Sequence, residues 1–152
     1  MVREKNDVEF EKQIIKFRVR FDYRGRPKPA KFFFGGKNSE NIAEDLREQQ
    51  MAMWRNIPIQ GVSIENIDLG EIYMVYDEEM DEDIAYAPME LMVTAHNLED
   101  LIRFIVREEF RRIEILAPET VELDKQKVER MLFRMNEELK SQLYLRSKKL
   151  RD

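Results

Sequence analysis

Residues 12–23, KQIIKFRVRFDY, alternate between apolar and polar positions. Ile15, Phe17, Val19, Phe21 and Tyr23 fall on one side, and Lys16, Arg18, Arg20 and Asp22 on the other. A period of two marks a strand with one face buried and one face wet. Arg24-Gly25-Arg26-Pro27 supplies turn residues and residues 30–34 return as a second strand, so the pattern predicts an N-terminal hairpin closed by Gly35 and Gly36. Asn38 or Ser39 can cap a helix with Ile42, Leu46 and Met53 at helical spacing beside Trp54. Pro58 ends it, because proline has no N–H to give the helix.

Residues 70–77 and 84–95 read as two further strands, the second with Ala85, Ala87, Met89, Leu91, Val93 and Ala95 on one face. Their connection, residues 77–83, holds six carboxylates in seven positions. Asn97 followed by Asp100 resembles a capping box, and opens a helix with a stripe of Leu98, Leu101, Ile102, Ile105 and Val106. Residues 112–116 form a short strand closed by Pro118. Asp124 can cap a last helix with the seam Val128, Met131, Leu132, Met135, Leu139 and Leu143. Helical to its end, that segment is about 40 Å long at 1.5 Å per residue, more than a domain of this size can cover. Its first half is expected on the sheet. Residues 140–152 are expected to project, to fray, or to be ordered by a contact between subunits.

The expected order is β-β-α-β-β-α-β-α. Without the extra hairpin strand this is βαββαβ, the ferredoxin-like split βαβ arrangement, followed by a long C-terminal helix. The fold class is α+β. Length, 152 residues, fits a single domain with residues 1–11 flexible, and no Pro- or Ser-rich linker divides it.

Charge adds a division that hydropathy does not show. Residues 1–37 carry 11 basic and 5 acidic side chains, residues 38–102 carry 2 and 16, and residues 103–152 carry 13 and 10. Opposite surfaces of this kind can steer two copies together, or attract a charged partner. Composition closes several other routes. No stretch approaches the roughly 20 apolar residues of a membrane span. The absence of Cys removes disulfides and thiolate chemistry, and the charged N-terminal residues do not read as a secretory signal. A cytoplasmic protein is expected.

Catalytic sets are sparse. A Ser-His-Asp arrangement would have to use His96, the one histidine, and no G-x-S-x-G, P-loop or G-x-G-x-x-G motif is present. No catalytic residue, metal ligand set or cofactor is therefore assigned. The acidic connection lacks the EF-hand spacing and reads as solvated.

The basic hairpin residues Lys16, Arg18, Arg20, Arg24, Arg26, Lys28 and Lys31 lie close to Phe32, Phe33 and Phe34. Cations beside exposed rings are the chemistry of anion or single-strand binding, but Phe17, Phe21, Phe32 and Phe34 alternate as core residues do and the net charge is −5. Trp54 and His96 are the candidates for a small-molecule pocket, Trp54 with Met51 and Met53 on its helix and His96 at the end of a strand.

The runs MELMVTA at residues 89–95, NLEDLI at 97–102 and IEILAP at 113–118 carry a resemblance. Residues 89–138 resemble the C-terminal extension that follows the WYL domain in bacterial WYL-family transcriptional regulators. There a strand runs into a Leu-rich helix, a short strand ending in a Val/Ile-x-Val/Ile-Leu-x-Pro run, and a helix. The chain departs from the family in having Glu109-Phe110-Arg111 where Phe-Gly is usual. The WYL signature and a helix-turn-helix are not recognised. The resemblance implies a bacterial regulatory, ligand-sensing or oligomerising module without catalysis. The expected partner is a second copy of the chain, with a small molecule or another protein as further partners. The alternatives are single-stranded nucleic-acid binding through the hairpin and, behind it, a divalent-metal-dependent enzyme.

Overall fold

A computed structural model describes residues 13–26 and 38–151. The predicted hairpin strand over residues 30–34, Lys28, Lys31 and residues 1–11 lie outside the described residues. Strand β1 (Ile15–Gly25) leads to helix α1 (Ser39–Asn56), and then to strands β2 (Val62–Leu69), β3 (Tyr73–Asp77) and β4 (Glu82–Ala95). Helix α2 (Leu98–Ile105), strand β5 (Phe110–Ala117) and helix α3 (Lys125–Arg151) complete the order. The fold is α+β; the described residues form one five-stranded sheet in the order β2-β4-β1-β5, and every pairing among them is antiparallel. β3 also pairs with β4, beyond the end of β2.

The described order is thus β-α-β-β-β-α-β-α, and the strand that the sequence reading missed is β2. Its phase shifts at a bulge between Ile64 and Asn66, so Val62 and Ile64 are in step while Ile67 follows three residues later. A bulge adds one residue and inverts the alternation. No single period of two is left to read.

Pro88 explains why β2 and β3 are separate. It sits in the interior of β4, where a proline cannot donate to a neighbouring strand. Its carbonyl accepts from the Gly70 amide, so its nitrogen faces the same edge, at the break between β2 and β3. The break falls where the ladder would have lacked a donor.

Helices α1 and α2 cover one face of the sheet. Phe17, Val19 and Phe21 from β1 and Met89, Leu91 and Val93 from β4 are fully buried beneath them. Phe21, Trp54 and Phe104 form an aromatic triangle with ring centroids 5.3–5.9 Å apart, and Phe17 meets Phe104 edge-on at 6.2 Å. Tyr23 is also buried, but its hydroxyl has no hydrogen-bond partner among the described residues, and burial raises its pKa. Replacing it with phenylalanine removes an unpaired polar atom without changing shape. Tyr23→Phe is expected to stabilise the protein by about 1 kcal/mol, read as a higher urea midpoint at unchanged slope.

Three helix starts follow the sequence. The Asn38 side chain accepts from the Asn41 amide at 2.8 Å, Asn97 from Asp100 at 2.9 Å, and Asp124 from Lys127 at 2.8 Å. Helix faces follow it less well. In α1 the buried stripe is Ala43, Arg47 and Trp54, while Leu46 and Met53 are exposed. The reason is Arg47, whose Nη1 donates to the carbonyls of Gly70 at 2.7 Å and Pro88 at 3.0 Å. A buried arginine sets the rotation of the helix, and hydropathy does not anticipate one.

The last helix also departs from expectation. α3 does not lie on the sheet. It rests on α2, where Arg103 pairs with Glu138 at 3.8 Å, and it continues as helix through Arg151. Val128 and Met131 are partly covered, whereas Leu132, Met135, Leu139 and Leu143 are exposed.

Candidate functional site

The face of the sheet opposite α1 and α2 carries the polar half of the β1 alternation. Lys16, Arg18, Arg20, Asp22 and Arg24 project there from β1, because the odd-numbered positions are taken by the core. Each of the four sequence-predicted cations on this strand meets a carboxylate. Lys16 pairs with Glu65 at 3.2 Å, Arg18 with Glu90 at 3.2 Å and Glu114 at 3.0 Å, Arg20 with Asp22 at 2.8 Å, and Arg24 with Asp77. Arg26 is exposed beyond the strand end. The hydrogen bond from Thr94, and then Lys16, hold the Glu65 carboxyl below its ordinary range.

Asp22 is the centre of this face. Its side chain is 2% exposed, yet it lies on the uncovered side of the sheet. Arg20 grips it with two bonds, Nε at 2.8 Å and Nη2 at 3.1 Å, and the Tyr73 hydroxyl donates to it as well. Arg111 approaches at 3.5 Å. The bond to Asp22 raises the pKa of Arg20, and burial followed by the same carboxylate raises that of Tyr73.

Tyrosine rings and guanidinium groups wall the site. Tyr73 stacks on Tyr86 at 5.4 Å with 14° between the planes. Arg111 lies over Tyr86 at 5.1 Å and Arg20 over Tyr73 at 6.0 Å. Adjacent residues of a strand ordinarily face opposite sides, so Arg111 and Arg112 should not share a face. They do, because the register with β1 shifts between Arg20, opposite Arg112, and Phe21, opposite Phe110. Arg111 is the extra residue of a bulge, and bulges re-aim side chains. A depression of about 430 Å³ results, lined by Arg20, Asp22, Tyr73, Val75, Tyr86, Arg111 and Arg112.

Of the predicted cations, the structure brings Arg20 into this site. Lys16 and Arg24 share its face within separate ion pairs, and Arg18 adjoins it through Glu90, which Arg112 also reaches at 3.5 Å. Asp22, Tyr73, Tyr86, Arg111 and Arg112 were not singled out from the sequence. The signal was an acidic residue interrupting the cationic positions of β1, and the Arg111-Arg112 doublet near the start of β5.

The predicted pocket pair is divided. Trp54 is buried against Phe21 and Phe104, with Arg107 over its ring at 5.3 Å. His96 is exposed after β4, its amide donating to the Gly61 carbonyl at 2.9 Å.

The acidic connection forms the β3–β4 turn. The Asp77 side chain accepts from the amides of Glu79 and Met80, and the Tyr76 hydroxyl donates to Asp81. Among the described residues no group of three or more His, Asp or Glu side chains is arranged to hold a metal ion, and no helix is long and apolar enough to cross a membrane. No protein-family model matches this chain, and comparison with curated proteins finds no match.

Proposed function

We propose that the chain is a non-catalytic regulatory module that assembles as a homodimer through α3. The supporting observation is the apolar strip Leu132, Met135, Leu139 and Leu143, exposed by between 39% and 63% on a helix that rests on α2 by another face. The strip is offset by roughly a third of a turn from Met131, Arg134 and Glu138, which face α2. Its spacing approximates the seam of paired helices.

A second copy fits the strip. In an antiparallel pairing Leu132 lies level with the partner's Leu143, Met135 with the partner's Leu139, and Glu129 with the partner's Arg146. Each contact then occurs twice about a two-fold axis, as a closed dimer requires. Every leucine fully covered contributes about 1.5–3 kcal/mol.

The element order over residues 89–138 is strand, Leu-rich helix, short strand, Pro118 and helix. That order supports the proposed kinship with the WYL-family extension, whose implied role is regulatory. Taking β2 and β3 as one interrupted edge, across which Gly70 bonds to Pro88, supports a ferredoxin-like sheet with α3 added outside. The carboxylate partners of Lys16, Arg18, Arg20 and Arg24 weigh against strand binding by the basic ribbon.

Light scattering at micromolar concentration and physiological salt tests the proposal. The unaltered chain is expected to give a dimer mass. Leu139→Lys with Leu143→Lys is expected to give a monomer with the same circular dichroism and at most a small loss of thermal stability, because both side chains already face water within one chain. A monomeric unaltered chain, or a double variant that stays dimeric, overturns the α3 dimer.

A further inference from the structure

Asp22 is one buried carboxylate, and burial obliges it to find a partner. Arg20 alone meets that obligation, with two short bonds to its two oxygens, and Tyr73 adds a third. Arg111 and Arg112 are therefore surplus to the needs of Asp22. Arg111 reaches it at 3.5 Å, and Arg112 reaches Glu90 at 3.5 Å, a carboxylate held more closely by Arg18 at 3.2 Å. The side chains of Arg111 and Arg112 remain 47% and 67% exposed.

We propose that Arg20, Arg111 and Arg112 form a binding site for the phosphoryl group of a small ligand, on the open sheet face beside the Tyr73–Tyr86 stack. Three guanidinium groups and one carboxylate line the depression, while Glu90, shared by Arg18 and Arg112, stands outside that lining, so the depression keeps a net positive charge suited to a phosphoryl group. Guanidinium forks suit phosphate geometry, offering paired N–H donors. Asp22 fixes Arg20, and the Tyr86 ring under Arg111 holds that side chain on the same face, so part of the ordering cost is met before a ligand arrives. The bulge at Arg111 is what gathers the third cation. Its volume, about 430 Å³, admits a small carrier, with Val75 and Tyr86 as its apolar contacts. This inference does not depend on the α3 dimer.

Nuclear magnetic resonance titration of the full chain tests it, using inorganic phosphate, phenyl phosphate, benzoate and oligothymidylate at low salt. Phosphate or phenyl phosphate at low-millimolar levels is expected to give saturable shifts at amides around Asp22, Tyr86 and Arg112. A stronger response to phenyl phosphate assigns contact to the carrier, and an equal one assigns recognition to the phosphate alone; both support the site. Arg111→Gln and Arg112→Gln are each expected to weaken binding about tenfold, while Lys16→Gln, whose partner is Glu65, leaves it unchanged. The spectra of the variants report directly that they fold. Absence of saturable shifts overturns the proposal, as does equal loss in Lys16→Gln, which would show diffuse charge. Benzoate binding as tightly as phenyl phosphate overturns the phosphoryl assignment. Tighter binding of oligothymidylate at the same residues assigns the face to nucleic-acid strands instead.

Discussion

Gly25→Ala is expected to destabilise the protein by about 3 kcal/mol or more, the upper range for forcing atoms into a packed site. A Cβ at Gly25 would stand 1.9 Å from the backbone carbonyl oxygen of Ser39 and 2.9 Å from the Ala43 nitrogen. Neither atom belongs to a side chain that could turn aside. The first turn of α1 would have to lift from the end of β1. Lifting it also strains the bridge made by Ser39, whose hydroxyl donates to the Gly25 carbonyl and accepts from the Ala85 amide at 2.7 Å. Ser39→Ala removes that bridge without the clash and is expected to cost about 1 kcal/mol. Urea denaturation of the two variants separates close approach from hydrogen bonding. Equal losses would show that the approach at Gly25 is not tight.

Arg47→Ala is expected to cost about 3 kcal/mol by the same measurement. A partly buried bond to the Gly70 carbonyl and a buried one to the Pro88 carbonyl disappear, and charge-assisted bonds contribute about 1.5–3 kcal/mol each before relaxation. The Pro88 carbonyl keeps the Gly70 amide, which limits the loss there. Hydrogen exchange gives the change a location. The Gly70 amide, at the break between β2 and β3, is expected to lose protection before the β1–β4 ladder does. Loss spread evenly through the sheet would show that Arg47 supports the fold generally and not this junction.

The two residues share a role with consequences for the open face. Gly25 and Arg47 hold α1 against β1 and against the β2–β3 break. The tyrosine supplied by β3, Tyr73, begins three residues after Gly70 and bonds to Asp22. A shift at the break therefore reaches the arginine cluster through Tyr73. Arg47→Ala is expected to loosen the stack of Tyr73 on Tyr86, visible as averaged ring resonances of the two tyrosines.

Much of the frame was legible because its causes are local. The alternation over residues 15–23 needs no neighbour to be read, and a polar residue at a helix start satisfies amides two or three residues away. Asn38, Asn97 and Asp124 were readable for that reason. The candidate site was legible in one part, Arg20. The doublet marks Arg111, but alternation assigns it to the opposite face from Arg112, and the bulge that reverses this exists only where β5 meets β1. The same holds for Glu65 and the missed β2.

Sequence alone determined that β1 would be amphipathic, where the helices would begin, and that α3 would outrun the core. These follow from side-chain period, capping chemistry and the fixed rise of a helix. Tertiary structure decided which way α1 turned, since the burial of Arg47 depends on two carbonyls 23 and 41 residues away. It decided that α3 rests on α2 and leaves its leucines in water. It also decided that three arginines would meet around one aspartate. Bonds and registers between distant segments have no local period, and they form only when the segments are brought together.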